Sequence, residues 1–363
     1  MKFHFLYVSL LYCSFSLFAC QKDTDWFNPT GKEVFALYYQ GMNASQVQAA
    51  KYMGDRGFIS PTTGEHIVCT QSIDILPNVR VKPEIDEVLP APKSRSWSTI
   101  LKNPLLTLWQ KSHEVISRFV NGTQGIQVNS TASSSLTHTI AGHSLVVSKI
   151  NIAQEGDLAN HERRLKSFNQ EKSDALGFFM GVSRGAALTA LALCRYHKQG
   201  YDLSKFRFAV HEGCFDSIEH VMRMRHPYLL KYDFCMNLVT KVATKIIAFK
   251  RDGPAPIKEI ENYPKSMPAA FITSKKDIHV PAECTKEVVK ALVKAGHPDV
   301  YLLELDNSSH IGYMRDCQKD KTKYRNFMHA MLQKHNLCHI PAYAQAGQAL
   351  LEQAKKNAQA LAS

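Results

Sequence analysis

Strand-like and helix-like segments alternate along most of the chain. Short apolar runs, among them residues 34–39, 175–180 and 269–273, are typical of buried strands, and segments of helical length separate them. Strands joined by helices predict a mostly parallel sheet with helices on both faces, so the expected fold class is α/β. We expect about six strands, beginning at Val34. The composition, 45% hydrophobic and 21% charged, is that of a globular chain.

Two internal segments depart from this alternation. Prolines and a Ser/Thr-rich stretch interrupt residues 75–140, which we expect to be an insertion on the core, and a core strand at 145–150 is expected to follow it. Helix-forming residues fill 216–265, which we interpret as a lid-like segment. Both segments belong to one domain, which we place at residues 34–340.

Residues 341–363 are expected to form a helical tail. An apolar residue recurs there at intervals of seven, four and seven, giving one narrow stripe of Tyr343, Leu350, Ala354 and Leu361. Such a stripe buries little area, and Gly347 weakens the helix by about 1 kcal/mol. We therefore predict a loosely docked helix outside the core, dispensable for the fold.

The sequence Gly181-Val182-Ser183-Arg184-Gly185 lies at the turn between a predicted strand and a predicted helix. A serine in such a turn has a strained backbone, so the residues two before and two after it need to be small. Gly181 and Gly185 meet that need. The N-terminus of the helix also points towards any oxyanion formed on a substrate. The motif predicts Ser183 as a nucleophile, with an ordinary helix N-cap as the alternative.

With this motif in place, the chain from about residue 34 to 335 resembles the α/β-hydrolase superfamily. Members carry nucleophile, acid and histidine in that order along the chain. The resemblance implies Asp277 as the acid, because Asp277-Ile278-His279-Val280-Pro281 follows a predicted strand. It implies His310 as the base, because the loop 306–312 follows the last predicted strand. In this scheme His310 takes the proton of Ser183, and Asp277 orients the imidazole.

Alternatives to these partners stay open at this point. His279 is a rival to His310, although it precedes a helix instead of following the last strand. Glu212 follows an earlier strand and is a rival acid, while Asp277 could cap the helix after Pro281.

The resemblance also implies two amide donors for the oxyanion. One is Arg184, which follows the nucleophile, and the other lies in Gln40-Gly41-Met42, where relatives often have His-Gly-x. We expect Met42 to be this second donor, with Gly41 as the alternative. A well-placed donor is worth roughly 3 kcal/mol in the transition state.

The N-terminus has the form of a secretory signal. Lys2 precedes an apolar stretch from Phe5 to Ala19, and a polar segment follows Cys20. The position of Cys20 resembles the lipobox of bacterial lipoproteins, which implies a lipid anchor on that cysteine. We expect a signal peptide at 1–19, a linker at 20–33 and an exported protein held at the periplasmic or outer face of a membrane. A cleaved signal without lipid and an uncleaved anchor are the alternatives.

Charge and cysteine content limit the partners. The formal net charge is +12, but the basic residues are scattered and accompany no nucleic-acid-binding motif, so we expect no nucleic-acid partner. No two of the nine cysteines have a metal-ligand spacing, and we expect free thiols, no metal and no cofactor. Nothing in the sequence fixes an oligomeric state.

These features predict an exported serine hydrolase that acts on a small-molecule or acyl substrate. Esters are favoured over thioesters and amides. Two other functions remain: a lipid-anchored binding protein that keeps the fold without turnover, and an acyltransferase that uses the same acyl-enzyme.

Overall fold

The computed structural model describes residues 25–39, 58, 61–62, 67–73, 136–140, 143–147, 155–171, 174–247 and 250–363. A six-stranded parallel sheet lies at its centre. Its strands are β1 (Val34–Tyr39), β2 (Cys69–Ile73), β5 (Leu176–Val182), β6 (Phe206–Glu212), β7 (Ala269–Ser274) and β8 (Val300–Leu305). They are arranged in the order β2-β1-β5-β6-β7-β8. A separate antiparallel pair contains β3 (Leu136–Ile140) and β4 (His143–Val147).

Helices connect most of the strands. They are α1 (Glu155–Glu171), α2 (Arg184–Lys198), α3 (Ile218–Arg225), α4 (Pro227–Leu230), α5 (Asp233–Ile247), α6 (Pro256–Glu259), α7 (Ala282–Lys294), α8 (Gln318–Lys334) and α9 (Pro341–Ala360), and a 3-10 turn spans Ile260–Asn262. Helices α3 to α6 fill the segment expected to be lid-like.

Both faces of the sheet are buried. All six residues of β1 are buried: Phe35 and Leu37 belong to one hydrophobic cluster, and Ala36 and Tyr38 belong to another. Helices α1, α2 and α7 contribute to the first cluster, and α8 and α9 contribute to the second. A strand covered on two faces is apolar throughout, which is why the apolar runs were visible in the sequence. The predicted fold class, α/β with a mostly parallel sheet and helices on both faces, is confirmed.

One strand was predicted in the wrong place. The segment expected to be a core strand at 145–150 overlaps β4, which pairs with β3 and not with the central sheet. The sixth central strand is instead β2, which lies at the edge beside β1. Its sequence, Cys-Thr-Gln-Ser-Ile, lacks the apolar run by which the other five strands were found. The remainder of the expected insertion, residues 75–135, lies outside the described residues.

The C-terminal tail is a helix, but the prediction that it lies outside the core is wrong. In α9 the residues Ala344, Gly347, Leu351, Ala354 and Ala358 are buried. Leu351 and Ala354 belong to the same hydrophobic cluster as α8. In the first half of the helix the buried residues Ala344 and Leu351 each lie one position after the predicted Tyr343 and Leu350. Small residues on the buried face allow the helix to pack closely, and a search for large apolar side chains overlooks them.

Among the described helices, none combines the length and the apolar character that crossing a membrane requires.

Candidate active site

Ser183 occupies a strained turn between β5 and α2. Its backbone has φ 55° and ψ −119°, a conformation that residues with a side chain rarely adopt. Three backbone hydrogen bonds hold the turn: Ser183 N donates to Glu212 O at 2.7 Å, and Ser183 O accepts from Ala186 N at 2.9 Å and from Ala187 N at 3.2 Å. Strain of this kind persists only where the surroundings enforce it, and it is common at reactive sites.

Gly181 shows why the turn needs small residues. A Cβ atom at this position would lie 2.4 Å from Gly185 O and 2.6 Å from Ala186 Cα. Those atoms belong to the backbone of the helix that starts after Ser183, so they have no room to move. The glycine therefore lets the strand and helix approach closely enough to form the turn.

His310 connects Ser183 with Asp277. The imidazole Nε2 lies 2.8 Å from Ser183 Oγ, and Nδ1 lies 2.6 Å from Asp277 Oδ2. Because a carboxylate accepts hydrogen bonds, the network assigns the proton to Nδ1 and leaves the Nε2 lone pair facing the hydroxyl. The three residues converge from the ends of β5, β7 and β8. The arrangement can remove the hydroxyl proton from Ser183.

The other oxygen of Asp277 fixes the carboxylate in this orientation. Asp277 Oδ1 accepts hydrogen bonds from His279 N at 2.9 Å and from Val280 N at 2.8 Å. Asp277 thus closes the loop before α7 while its Oδ2 faces the imidazole. Its side chain is fully buried, whereas that of His310 retains 11% exposure. The base is consequently reachable from solvent and its orienting group is not.

The loop that carries His310 is anchored from α8 by Asp320. The buried Asp320 carboxylate accepts hydrogen bonds from the amides of Asn307 and Ser308, both at 2.8 Å, and from Ser308 Oγ at 2.8 Å. Burial alone would raise the pKa of Asp320, but these donors outweigh it and hold the pKa below its usual value. The anionic carboxylate therefore stabilises the path of the chain towards His310.

Gly213 provides space beneath the imidazole. Its φ is +57°, and a Cβ there would lie 3.0 Å from His310 Cε1. The glycine follows β6 directly, so the end of this strand sets the position of the ring.

The rival residues occupy other places. The His279 ring lies 5.6 Å from that of His310, between centroids, in an edge-on arrangement. Burial, assisted by the nearby His310 and Arg225, lowers the pKa of His279. The Glu212 carboxylate is fully buried and accepts a hydrogen bond from the hydroxyl of Tyr324 on α8. The histidine that forms a hydrogen bond with Ser183 is His310, and the acid that forms one with His310 is Asp277.

Arg184 follows Ser183 and makes a buried ion pair with Asp157 on α1. Its Nε donates to Asp157 Oδ2 at 2.8 Å, and its Nη2 donates to Asp157 Oδ1 at 2.7 Å. The two side chains are only 4% and 7% exposed. A bidentate pair of this kind fixes a planar guanidinium in one orientation. It ties the first residue of α2 to α1, next to the nucleophile.

Two predicted site residues cannot be placed. Met42, the expected second oxyanion donor, and Cys20, the expected lipid anchor, both lie outside the described residues.

The expected first oxyanion donor lies within the described residues. Arg184 is the first residue of α2, and the first backbone amides of an α-helix point away from the helix instead of bonding within it.

Sequence reasoning missed Asp157 and Asp320. Both are acidic residues in the first turns of helices, where they look like ordinary favourable charges at a helix N-terminus. Their partners are distant in sequence, 27 residues away for Arg184. A pattern within one helix could not have identified them.

Comparison with known proteins gives limited matches. No family model matches the chain, and no curated protein does. An acylaminoacyl peptidase from Pyrococcus horikoshii is 16% identical, with a TM-score of 0.39, over 54% of this chain and 30% of the peptidase. An esterase from Pyrococcus furiosus is 10% identical, with a TM-score of 0.43, over 86% of each chain.

A third solved structure is an α/β-hydrolase enzyme from a lagoon-sediment metagenome of Mar Chica, Morocco. It is 19% identical, with a TM-score of 0.31, over 50% of this chain and 71% of the enzyme. The match with the Pyrococcus horikoshii peptidase, described above, spans less than a third of the length of that peptidase. Likeness at this level has no bearing on which reaction the chain carries out.

Proposed function

We propose that the protein is a serine hydrolase that cleaves a carboxylic ester, or a thioester or amide, through an acyl-enzyme intermediate. The observation that carries the proposal is the continuous hydrogen-bonded chain from Ser183 Oγ through His310 to Asp277, at 2.8 Å and 2.6 Å. The strained backbone of Ser183 also supports the proposal, because an ordinary helix N-cap residue does not need such strain.

In the first step His310 Nε2 takes the hydroxyl proton as Ser183 Oγ attacks the carbonyl carbon of the substrate. Asp277 Oδ2 stabilises the imidazolium that forms. The imidazolium then gives its proton to the leaving group, which departs as the acyl-enzyme forms. A water molecule, deprotonated by the same nitrogen, then attacks the acyl carbon. The imidazolium returns that proton to Ser183 Oγ as the acyl–oxygen bond breaks, which releases the acid and regenerates the enzyme.

The tetrahedral intermediates place negative charge on the former carbonyl oxygen. We assign the Arg184 amide as one donor to this oxyanion, since it begins α2 beside Ser183. The ion pair with Asp157 would keep this amide in place. Met42 remains our candidate for the second donor.

We further propose that the protein is exported and anchored by lipid on Cys20. This proposal rests on the N-terminal sequence alone. Mass spectrometry of the mature N-terminus tests it: a diacylglyceryl group on Cys20 is expected, and an unmodified Cys20 or a different N-terminus contradicts it.

A fluorophosphonate probe tests the catalytic proposal. The probe reacts covalently with an activated serine, so we expect labelling of the wild type at Ser183 and none of Ser183→Ala. Ser204→Ala changes a serine in an exposed turn before β6 and should be labelled like the wild type. Lack of labelling in a folded wild type would favour the non-catalytic binding protein.

Acyl esters of graded chain length then test the substrate class. Hydrolysis with a clear optimum in chain length, absent in Ser183→Ala, is expected. Labelling by the probe without release of free acid, together with transfer of the acyl group to an added alcohol or amine, would identify an acyltransferase instead.

A further inference from the structure

A second cluster of reactive side chains lies apart from Ser183, where the loop after β6 meets the start of α7. It contains Asp216, His220 on α3 and Cys284 in the first turn of α7. One potential ligand atom from each lies within 4.8 Å of the other two. Two segments that are distant in sequence, residues 216–220 and the start of α7, therefore converge on one point.

The carboxylate of Asp216 is the most unusual member of this cluster. Its side chain is only 10% exposed, and Oδ2 lies 2.9 Å from His220 Nδ1. The other oxygen, Oδ1, is buried and has no hydrogen-bond partner among the described residues. Burial raises the pKa of Asp216, although the His220 side chain and the Ser217 amide oppose that effect. A buried carboxylate oxygen with no partner is costly, and binding of a cation would remove that cost.

Cys284 is also buried, with no measurable exposure, and its thiol is free. Burial and the neighbouring Asp216 raise the pKa of this thiol. A nucleophilic cysteine needs an accessible thiolate, so Cys284 does not form a second hydrolytic centre with His220 and Asp216. Its sulfur is, however, a suitable ligand for a metal ion that needs no access from bulk solvent.

We propose that Asp216, His220 and Cys284 bind a Zn²⁺ ion. One thiolate, one carboxylate and a neutral imidazole are ligands that zinc accepts, and their two negative charges neutralise the dication. Ligand atoms in a tetrahedral zinc site lie about 2.0 to 2.3 Å from the metal, and therefore roughly 3.3 to 3.8 Å from one another. The three potential ligand atoms already lie within 4.8 Å of one another, so small side-chain movements would bring them into place. On binding, the Cys284 thiol loses its proton to solvent. Three protein ligands leave a fourth position for water.

The position suggests what the ion does. Asp216 lies three residues after Gly213, which packs under His310, and Cys284 lies seven residues after Asp277. The ion would join the segments that follow these two residues and so stabilise the frame around the candidate active site. It would not take part in the reaction.

Titration of the full chain with Co²⁺, after chelator treatment, tests the site. We expect one equivalent to bind with a thiolate-to-cobalt charge-transfer band, which equimolar Zn²⁺ removes. Cys284→Ser should abolish the band. His220→Gln should weaken Co²⁺ binding by at least about tenfold, since even partners outside a ligand set have effects of that size. The matched control Cys317→Ser, which changes a half-buried thiol before α8, should behave as the wild type.

Absence of the band in the folded wild type would overturn the proposal, as would its persistence in Cys284→Ser or its loss in Cys317→Ser. Circular dichroism shows whether each variant is folded. If Cys284→Ser does not fold, the partly exposed His220→Gln variant decides, because unchanged Co²⁺ affinity there contradicts the site. The titration does not depend on Ser183, so its result is separate from the test of hydrolase activity.

Discussion

Gly347 on α9 lies against the backbone carbonyl of Asn326 on α8, so closely that a Cβ at Gly347 would be 2.0 Å from that oxygen. The same Cβ would lie 3.0 Å from the Cβ of Ala330. The two helices therefore pack through a backbone contact that only glycine permits. This contact brings the last helix into the core.

Gly347→Ala should consequently destabilise the protein. Alanine normally improves a helix by about 1 kcal/mol over glycine, but here the clash forces the helices apart. Overpacking costs about 1 to 3 kcal/mol, so the free energy of unfolding in urea should fall. Ala346→Gly, at an exposed neighbouring position, gives the ordinary propensity effect as a control. A stabilised Gly347→Ala variant would show that α9 is not held in this way.

Removal of α9 should also be damaging. Leu351 is 1% exposed within a core cluster, so Leu351→Ala should cost about 2 to 5 kcal/mol of unfolding free energy. The neighbouring Leu350, which is half-buried, should tolerate the same change with a smaller loss. A chain ending at Ile340 exposes that cluster and should yield little soluble protein. If the truncated protein is soluble and has the melting temperature of the wild type, the tail is dispensable for the fold.

Asp157→Asn should weaken both the fold and the candidate active site. It leaves the Arg184 guanidinium buried without its counter-charge, a loss of about 3 to 5 kcal/mol. Denaturant unfolding and ester hydrolysis measure the two effects. The double variant Asp157→Leu with Arg184→Met removes both charges and should recover much of the stability. Equal losses in the single and double variants would argue against the ion pair as the cause.

Asp277→Asn should lower kcat for ester hydrolysis by about 10⁴-fold, because the amide no longer selects the tautomer with a proton on His310 Nδ1. KM should change little, since Asp277 is fully buried behind His310. Glu212→Gln provides the comparison: it alters the buried carboxylate bonded to Tyr324 and should leave kcat near the wild-type value. A larger effect at Glu212 than at Asp277 would reverse the assignment of the acid.

His211 should make stability depend on pH between about 6.5 and 4. It is fully buried, with hydrogen bonds to Ala186 O and the Tyr263 hydroxyl, and burial lowers its pKa to about 4. The unfolded chain takes up the proton first as the pH falls, so the stability present above pH about 6.5 is lost on approach to pH about 4. The loss amounts to roughly 3 kcal/mol.

Urea unfolding at several pH values tests this dependence. In His211→Gln the free energy of unfolding should fall less steeply as the pH decreases through that window. The difference between the two slopes should correspond to the uptake of at most one proton on unfolding. Identical pH slopes in the variant and wild type would mean that the folded state protonates His211 at its ordinary pKa.

Local patterns in the sequence predict the alternation of strands and helices and the turn at Ser183. Apolar runs mark strands buried on two faces, and a strand-to-helix turn needs glycines at fixed positions. These are local requirements, so a single stretch of chain reveals them. They were enough to predict five of the six strands in the described sheet. Asp277 and His310, which lie within hydrogen-bonding distance of each other and of Ser183, were implied by the resemblance to the α/β-hydrolases and not by a local pattern.

Which elements pack together depends on contacts between distant parts of the chain. The tertiary structure placed β2 at the edge of the sheet, gave Arg184 its partner Asp157, and brought α9 into the core through Gly347. Each of these depends on groups far apart in sequence, and on small or polar residues whose local pattern is the same whether they are buried or exposed. Burial of such residues follows from the close approach of whole elements, which no local periodicity records.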